Sequence, residues 1–434
     1  METLKFNLDD HGGKFKLLNC TNGGPWHRRD LGKWHSNLEA YKAARIPYAR
    51  NHDSSFCFEY GGHYAHDVSS IFPNFDADPY DPISYDFTET DESLLITLKA
   101  NTQTFFRLGE RIEHEIIKRH TLPPKDFKKW AVICEHIIRH YNYGWADGHE
   151  LGMKYWEIWN EPDLNDGDDE KFCWGGTRGQ FFDFFEIAAK HLKSCFPELK
   201  IGGPSIARNK EWTEEFLAEM SKRNVPLDFF SWHIYATDPN RHTVRANCVR
   251  EMLDKNGYTS TESILNEWNY LKNWTDKFHY TVNVIGGVKG AAFTMACMSL
   301  AQRNPIDMLM YYDMRPGVFC GAFDIYTRAV KKGYYPFYWY GMFYDTDHEV
   351  RCVSDIENIY TLCGADKNGK TLTVVTYYTD DDEAAPKEIN VDFGRNGMYE
   401  IYTLDKTHDA ELTDTTDNLS FTIPANSCIL IKEI

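Results

Sequence analysis

Residues 154–162 read KYWEIWNEP, and the predicted fold follows from how this stretch begins and ends. Its first part is rich in aromatic and apolar residues, which predicts a β-strand. Pro162 ends the strand because proline donates no backbone hydrogen bond. Glu161 therefore lies at the C-terminal end of a predicted strand, where parallel barrels carry their active-site residues. The alternative is a solvated glutamate in an ordinary loop.

A second stretch, residues 263–269, reads SILNEWN and repeats this pattern. An apolar run again ends in a glutamate, Glu267, and Trp268 follows it directly. Counted along the predicted strands, Glu161 ends the fourth and Glu267 ends the seventh. In one parallel barrel the two carboxylates would therefore share a rim.

The strands that complete the barrel are short runs of near-continuous apolar character, as expected for strands covered on both faces. The eight candidates are residues 15–20, 47–53, 104–108, 154–160, 199–203, 228–234, 263–268 and 307–313. Helical patterns lie between them, at 127–141, 178–195 and 212–223. This alternation predicts an α/β fold, a (β/α)₈ TIM barrel over residues 12–344. The alternative is a doubly wound open sheet, which the missing G-x-G-x-x-G motif disfavours.

The C-terminal part has a different pattern. From residue 345 to 434, short strand-like runs follow closely, separated by turn signals such as Asp366-Lys367-Asn368-Gly369. This predicts an all-β sandwich accessory domain. Residues 1–11 contain the alternating run TLKFNL and could lend that domain a strand. Within the barrel, the segment 53–91 is rich in Pro, Asp and Tyr and predicts a long loop at the active-site face.

Composition limits the partners and the compartment. The net charge of −18 disfavours nucleic acid and membrane surfaces, whereas the 15% aromatic content suits a neutral, stackable ligand. The 11 cysteines are scattered without a C-x-x-C pair, and there is no H-E-x-x-H motif, so no metal or cofactor is predicted. No signal-peptide pattern opens the chain, which predicts a cytoplasmic protein, although a trimmed secreted protein would look the same. The sequence does not indicate an oligomeric state.

Two carboxylates at one barrel rim fit the cleavage of a glycosidic bond. That reaction needs one carboxyl group held protonated as the acid and another held ionised across the scissile bond. Tryptophans beside both glutamates supply faces on which a sugar can stack, and Trp268 is the predicted stacking residue next to Glu267. A carbohydrate is therefore the predicted partner.

Four segments together resemble glycoside hydrolase family 39, the β-xylosidase and α-L-iduronidase family of the retaining 4/7 barrel clan. They are WEIWNEPDL, PPKDFKKW, DFFSWHIYA and the RNHD stretch that begins at Arg50. The resemblance is spread over most of residues 12–313. It implies that Glu161 is the general acid/base and Glu267 the nucleophile of a double displacement.

The resemblance also implies roles for the residues around that pair. Asn160 would hydrogen-bond the sugar 2-hydroxyl, and His52 would contact the sugar. Arg50 would keep the nucleophile ionised by charge proximity. His233 would line the subsite and Tyr235 would hold the nucleophile carboxylate. Each has an alternative: a core histidine at His233, a packing aromatic at Tyr235 and a surface ion pair at Arg50.

The specificity is less well defined by the sequence. The chain departs from the family pattern at residues 106–110 and at 311–317, where Arg315 either faces an anionic or branched sugar or pairs with Asp313. The expected activity is exo-acting and β-xylosidase-like on plant-type oligosaccharides. Alternatives are α-L-arabinofuranosidase, β-glucosidase or galactosidase, and uronide-acting specificities. A non-catalytic carbohydrate-binding barrel is the alternative from another class.

Overall fold

The computed structural model of the chain describes residues 1–30, 32–52, 64–164 and 171–434. Numbered in chain order, the strands in these residues are β1 (Glu2–His11), β2 (Leu17–Asn22), β3 (His27–Asp30), β4 (Lys33–Ser36), β5 (Tyr48–Arg50), β6 (Gln103–Leu108), β7 (Tyr155–Ile158), β8 (Lys200–Ile206), β9 (Phe229–Ala236), β10 (Glu262–Tyr270), β11 (Met308–Tyr311), β12 (His348–Cys352), β13 (Ile359–Ala365), β14 (Thr371–Tyr377), β15 (Lys387–Asp392), β16 (Tyr399–Leu404), β17 (Asp409–Thr416), β18 (Ser420–Ile423) and β19 (Ser427–Glu433).

The helices in the same residues are α1 (Leu38–Ala43), α2 (Val68–Ile71), α3 (Thr88–Lys99), α4 (Phe127–Tyr143), α5 (Arg178–Cys195), α6 (Lys210–Lys222), α7 (Asn240–Lys255), α8 (Phe278–Ile285), α9 (Val288–Gln302) and α10 (Tyr335–Met342). Single 3₁₀ turns lie at Pro82–Ser84, Lys332–Tyr334 and Phe343–Asp345.

Eight strands close into a barrel in the order β10-β11-β2-β5-β6-β7-β8-β9, and every neighbouring pair is parallel. This confirms the predicted α/β barrel and excludes the open sheet. A layer of apolar side chains fills part of the barrel interior: Cys20, Phe105, Tyr155, Phe229, Ile264, Met308 and Met310.

Helix α4 illustrates why the surrounding helices form where they do. Asp126 caps its first turn by accepting hydrogen bonds from the N–H groups of Lys128 and Lys129, at 2.9 and 3.1 Å. Apolar residues at three- and four-residue steps bury one face against the barrel. Gly144 ends the helix at φ 69°, a left-handed conformation that glycine adopts without steric cost.

The strands outside the barrel, except β3 and β4, form a nine-stranded mixed sheet of the sandwich type. Its order is β17-β16-β19-β14-β13-β12-β1-β15-β18. In this sheet β1 pairs parallel with β15 and antiparallel with β12, so the N-terminal residues share a sheet with the C-terminal ones. The sheet encloses its own core, which includes Leu4, Val375 and Ile431.

Helix α9 lies between the barrel and this sheet. Its Phe293 ring contacts Trp268 of β10 on one side and Tyr378 beside β14 on the other, with centroids 6.3 and 5.4 Å away. This explains why α9 is buried nearly all round. Within the described residues, no single helix is long and apolar enough to cross a bilayer. The bent pair of α8 and α9 meets the length and composition test only when the two are combined.

The segment 53–91, predicted to be one long loop, is only partly described because 53–63 lie outside the described residues. From residue 64 onward it contains α2, the turn Pro82–Ser84 and the start of α3. Tyr85 and Phe87 anchor it to α4 and the turn after it, through ring contacts with Trp145 and His140. Residues 64–87 thus belong to the predicted long connection between β5 and α3, and they contain one short helix and one 3₁₀ turn that aromatic packing holds in place.

Candidate active site

Glu161 and Glu267 face each other at the C-terminal rim of the barrel. Glu161 lies three residues beyond the end of β7, and Glu267 lies in the last part of β10. One oxygen of each carboxylate and one nitrogen of His233 all lie within 4.8 Å of one another. All three residues are buried. The predicted pair is thus brought together by strands that are far apart in sequence.

The backbone before Glu161 is strained in a way that places its carboxylate. Trp159 has φ 73° and Glu161 has φ 47°, both in the left-handed region that non-glycine residues rarely adopt. Neighbouring strands hold this conformation. The N–H of Trp159 donates to the carbonyl of Leu108 at 2.8 Å, and that of Glu161 donates to Ser205 at 3.0 Å. Such strain persists where the surrounding structure fixes a functional residue.

Three side chains contact the Glu267 carboxylate. The Tyr235 hydroxyl donates to Oε1 at 2.7 Å, and Nη1 of Arg50 lies 3.3 Å from Oε2. Nδ1 of His233 lies 3.8 Å from Oε2 of Glu267 and 2.8 Å from Oε1 of Glu161. His233 therefore bridges the two carboxylates. The positions predicted for Arg50, His233 and Tyr235 all converge on this one point.

Burial dominates the electrostatics of the site. Burial raises the pKa of Glu267, and the nearby Glu161 adds to this rise, whereas His233, the Arg50 charge and the Tyr235 hydrogen bond lower it. The pKa of His233 falls to about 4, again chiefly because of burial. The imidazole is therefore neutral at pH 7, and Arg50 is the permanent cation beside the nucleophile candidate.

Arg50 is fully buried and its guanidinium is held from several sides. Its Nε donates to Glu157 at 2.7 Å, and its Nη2 donates to Asn160 at 2.6 Å and Ser205 at 3.0 Å. Its Nη1 also donates to Asn22 at 3.2 Å. A buried charge is tolerated only with such partners. The guanidinium is therefore fixed where it faces Glu267.

Glu157 is a functional residue that the sequence analysis missed. It lies in the middle of the KYWEIWNEP stretch and is completely buried. Besides Arg50, it accepts hydrogen bonds of 2.6 Å each from the side chains of Ser205, Ser231 and Asn266. It neutralises Arg50 from within the barrel. A charged residue inside an otherwise apolar predicted strand was the available signal.

Asn160 and His52, both predicted to contact the sugar, have side-chain nitrogens without a hydrogen-bond partner in the described residues. The Asn160 side-chain oxygen accepts from Arg50, but its Nδ2 has no partner within the described residues. Both ring nitrogens of the buried His52 are likewise without partners in the described part of the chain. Burial and the charges of Arg50 and Arg107 hold the pKa of His52 well below its usual value, so its ring is neutral.

Trp268 does not lie where it was predicted. Its indole is fully buried and packs against His242, Tyr311 and Phe293, with ring centroids 5.5–6.3 Å away. The register of β10 against β9 shifts between Leu265 and Glu267, so Asn266 and Glu267 both point into the barrel and Trp268 is turned outward. The prediction of a substrate contact was wrong. Trp268 belongs to the packing between the barrel and its helices.

A large cavity opens over the two carboxylates, with a volume of about 1070 Å³. Trp274 and Phe319 contribute aromatic surface to its wall. Trp274 is 57% exposed, and its ring lies 5.4 Å from that of Tyr235. An exposed indole beside the Glu161–Glu267 pair is suited to stacking on a sugar. The sequence analysis gave Trp274 no role, because nothing in the sequence places it near Tyr235.

The segment 53–91 was expected to lie at the active-site face, but its described residues, 64–91, do not line this cavity.

For the eighth-strand region, the sequence left open whether Arg315 faces the sugar or pairs with Asp313, and the structure shows the pairing. Nη2 of Arg315 lies 3.0 Å from Oδ2 of Asp313, which is an ion pair within the loop.

Three clusters in the described residues bring three possible metal ligands within 4.8 Å: Asp91 with His140 and His149, Glu135 with His191 and Cys195, and Glu161 with His233 and Glu267. In the third cluster, Arg50 and Tyr235 already contact Glu267. A cation and a hydroxyl donor on one ligand suit an ionised carboxylate nucleophile better than a metal ligand.

Taken together, the fold and the site define a parallel barrel with two facing carboxylates at its C-terminal rim. The sequence model of glycosyl hydrolases family 39 matches residues 24–281, and the chain belongs to this family. Among curated proteins, β-xylosidases from Caldicellulosiruptor saccharolyticus and Geobacillus stearothermophilus are 31% and 33% identical to it over 184 and 171 residues. These matches cover 40% and 37% of the chain, and the chain spans only about a third of either relative's length (35% and 32%).

Solved structures support the same fold. A glucosidase from Croceicoccus marinus superimposes with a TM-score of 0.79 at 23% identity, covering 100% of this chain and 99% of that one. A monomeric β-xylosidase from Caulobacter crescentus gives a TM-score of 0.72 at 16% identity, with 100% and 99% coverage.

Proposed function

We propose that this protein is a retaining glycoside hydrolase in which Glu267 is the nucleophile and Glu161 the general acid/base. The observation that carries the proposal is the approach of the two carboxylates to within 4.8 Å. Retaining glycosidases hold their carboxyl groups about 5–5.5 Å apart, whereas inverting enzymes leave about 6.5–9.5 Å for a water molecule. One oxygen of each carboxylate thus approaches the other closely enough to favour the retaining arrangement over the inverting one.

The reaction proceeds in two displacements. In the first, a Glu267 oxygen forms a bond to the anomeric carbon while the glycosidic bond breaks, and Glu161 donates its proton to the departing oxygen. In the second, the Glu161 carboxylate takes a proton from water as the water oxygen attacks the same carbon. The bond to Glu267 then breaks, and both carboxyl groups return to their starting states.

The surrounding residues favour this division of roles. Arg50 and Tyr235 both contact Glu267, and each favours its ionised form. Glu161 contacts neutral His233, whose Nε2 has no partner in the described residues and is free to donate to a sugar hydroxyl. The unused Nδ2 of Asn160 is placed to donate to the 2-hydroxyl beside the reacting carbon.

For the substrate we propose exo action on β-xylosides of plant-type oligosaccharides, which the curated relatives support by their names. α-L-Arabinofuranosides are a second candidate, because an α-L-arabinofuranosidase from Thermotoga maritima superimposes over 100% of this chain with a TM-score of 0.65. A panel of aryl glycosides ranked by kcat/KM separates the two candidates, and a β-xyloside is expected to rank first.

The roles are tested by the variants Glu161→Gln and Glu267→Gln. Each is expected to lower kcat on an activated aryl glycoside by at least about 10²-fold, the lower end of what a positioned acid or base supplies. Glu262→Gln is the matched control, since it changes a glutamate at the opposite end of the same strand β10. Near-normal turnover in either active-site variant contradicts the assignment, and saturable sugar binding without turnover in the wild type would favour the non-catalytic barrel.

A further inference from the structure

One face of helix α7 lines the cavity that holds Glu161 and Glu267. Val244 and Arg245 lie three and four residues after Arg241, Cys248 lies four and three residues after them, and all four residues contribute to the cavity wall. Arg208, just before α6, lies on the same wall. Three arginines therefore surround one part of the cavity, in a chain whose net charge is −18. The rest of this wall is largely apolar.

Arg245 is the least exposed of these three arginines. Its Nη2 donates to the carbonyl of Ala207 at 3.2 Å, and its guanidinium lies 5.8 Å above the Trp232 ring. Its Nε is buried and has no hydrogen-bond partner within the described residues. No carboxylate of the described chain lies within ion-pair distance of it.

Two fully buried arginines provide a contrast with the partly buried Arg245. Arg50 has Glu157 at 2.7 Å, and Arg107 has Asp67 at 2.7 Å. For Arg245, one nearby carboxylate, Asp163, is already engaged in accepting backbone hydrogen bonds from residues 207–209 at 2.8–2.9 Å. Partial burial of a guanidinium without an anionic partner costs free energy, and an anion entering the cavity would offset that cost.

Burial lowers the pKa of Arg245, and the charges of Asp163 and Glu161 raise it. Arg245 lies beside the segment that carries Glu161, the proposed acid that protonates the departing oxygen, because its Nη2 donates to the carbonyl of Ala207, and the N–H of Ala207 donates at 2.8 Å to Asp163, two residues after Glu161. The first turn of α7 also points its positive dipole end toward this region, since the helix begins at Asn240.

We propose that Arg245, assisted by Arg208 and Arg241, binds an anionic group on the leaving-group side of the substrate. This inference rests on the proposed glycosidase function and specifies its substrate class as acidic oligosaccharides. A carboxylate of a uronic acid and a sulfate ester share the chemistry that a guanidinium recognises, through paired N–H donors and a full charge. The volume of about 1070 Å³ is ample for the sugar that would carry the group.

The test compares two disaccharides with the same glycone, linked either to glucuronic acid or to glucose, which differ only in the charged group. In the wild type, kcat/KM is expected to favour the acidic disaccharide by about tenfold or more, the effect of one charge-assisted hydrogen bond. In Arg245→Gln, the ratio of kcat/KM for the acidic disaccharide to that for the neutral one is expected to fall to a value between about 1 and about 2. The ratio is measured on one enzyme preparation, so a partly unfolded variant does not distort it.

Lys255→Gln is the matched control, because it removes the same charge from the far end of α7 and is expected to keep the wild-type ratio. A third disaccharide, carrying glucose 6-sulfate, distinguishes the two anions: the better substrate identifies the group that the site prefers. Equal kcat/KM for all three disaccharides in the wild type overturns the inference, as does an unchanged ratio in Arg245→Gln.

A binding measurement separates this inference from the proposed function. Calorimetry with methyl glucuronide and methyl glucoside needs no turnover, and the wild type is expected to bind the glucuronide about tenfold more tightly, with a preference that shrinks as salt increases. If none of the disaccharides is hydrolysed but this binding preference is present and lost in Arg245→Gln, the proposed function fails and the anion site stands. Equal binding of both glycosides removes the anion site alone.

Discussion

Two layers inside the barrel differ sharply, although the same strands build both. The lower layer is apolar and includes Cys20, Tyr155, Phe229 and Ile264. Two residues further along the same strands lie Asn22, Glu157, Ser231 and Asn266, which form the polar network around Arg50. Successive inward-facing positions of a strand are two residues apart, so one step along four strands converts packing into polar organisation.

The two layers place the residues that stabilise the barrel and the residues that organise the site at different levels along the barrel axis. Substitutions in the apolar layer should change the free energy of unfolding but leave kcat intact. Substitutions in the polar layer should change both, because Arg50 connects that layer to Glu267. The predictions below test this separation, beginning with the largest expected effect.

Glu157→Gln should be the most damaging single change in the polar layer. It keeps the size of the side chain but leaves the fully buried Arg50 without its closest carboxylate. Breaking a buried ion pair in this way costs about 3–5 kcal/mol. We expect a loss of that size in urea unfolding and a clear fall in kcat of the folded enzyme. A free energy of unfolding within about 1 kcal/mol of the wild-type value would contradict the proposal that Glu157 neutralises Arg50.

Ile264→Ala should destabilise the protein to a similar or smaller degree but by a different route. Removing a fully buried aliphatic side chain costs about 2–5 kcal/mol, depending on how far the cavity collapses. Because Ile264 lies in the apolar layer, kcat of the folded fraction should stay within about twofold of the wild type. A kcat loss as large as that of Glu157→Gln would show that the two layers are not separate.

Tyr235→Phe tests the electrostatics of the nucleophile candidate. The Tyr235 hydrogen bond lowers the pKa of Glu267, so its removal should raise that pKa. Glu267 must be ionised to react, and the acidic limb of the kcat/KM profile should therefore shift to higher pH. One hydrogen bond to a charged group is worth about 1.5–3 kcal/mol, which sets the expected fall in kcat/KM above the acidic limb at about tenfold or more. An acidic limb that moves to lower pH would be the opposite of this account.

The smallest effects should distinguish the two tryptophans. Trp274→Ala removes an exposed ring at the cavity and should raise KM by about five- to tenfold, the value of one stacking contact. Trp268→Phe should leave KM unchanged and lower only the thermal midpoint, since its indole packs behind the barrel wall. A KM increase in Trp268→Phe but not in Trp274→Ala would support the contact between Trp268 and the sugar that the sequence predicted.

The sequence predicts the barrel and the approach of Glu161 to Glu267 because both depend on local patterns. Apolar runs that end in glutamate identify the strands and their ends, and the closed barrel then brings Glu161 and Glu267 to one rim. The face on which a residue lies is harder to predict. Trp268 is adjacent to Glu267 in sequence, yet the register shift at Asn266 changes which positions of β10 face inward and leaves the two side chains on opposite sides of the strand.

Residues outside the strand ends were beyond the reach of the sequence. Trp274 and Arg245 reach the cavity from a loop and from a helix, and their positions depend on how those elements pack on the barrel. Glu157 was within reach, because a charge in the middle of an apolar strand requires a buried partner. Its partner, Arg50, lies more than one hundred positions away in the chain, and only the barrel closure joins them.

The central claim is that Glu267 forms a covalent bond to the sugar. It is tested most directly by treating the protein with an activated 2-deoxy-2-fluoro glycoside, which slows the second displacement, and identifying the labelled peptide by mass spectrometry. The account predicts one sugar per chain, attached to Glu267. It also predicts that NMR will show the product of ordinary substrates with its anomeric configuration retained. A label on another residue, or turnover without any label and with inversion at the anomeric carbon, would contradict it.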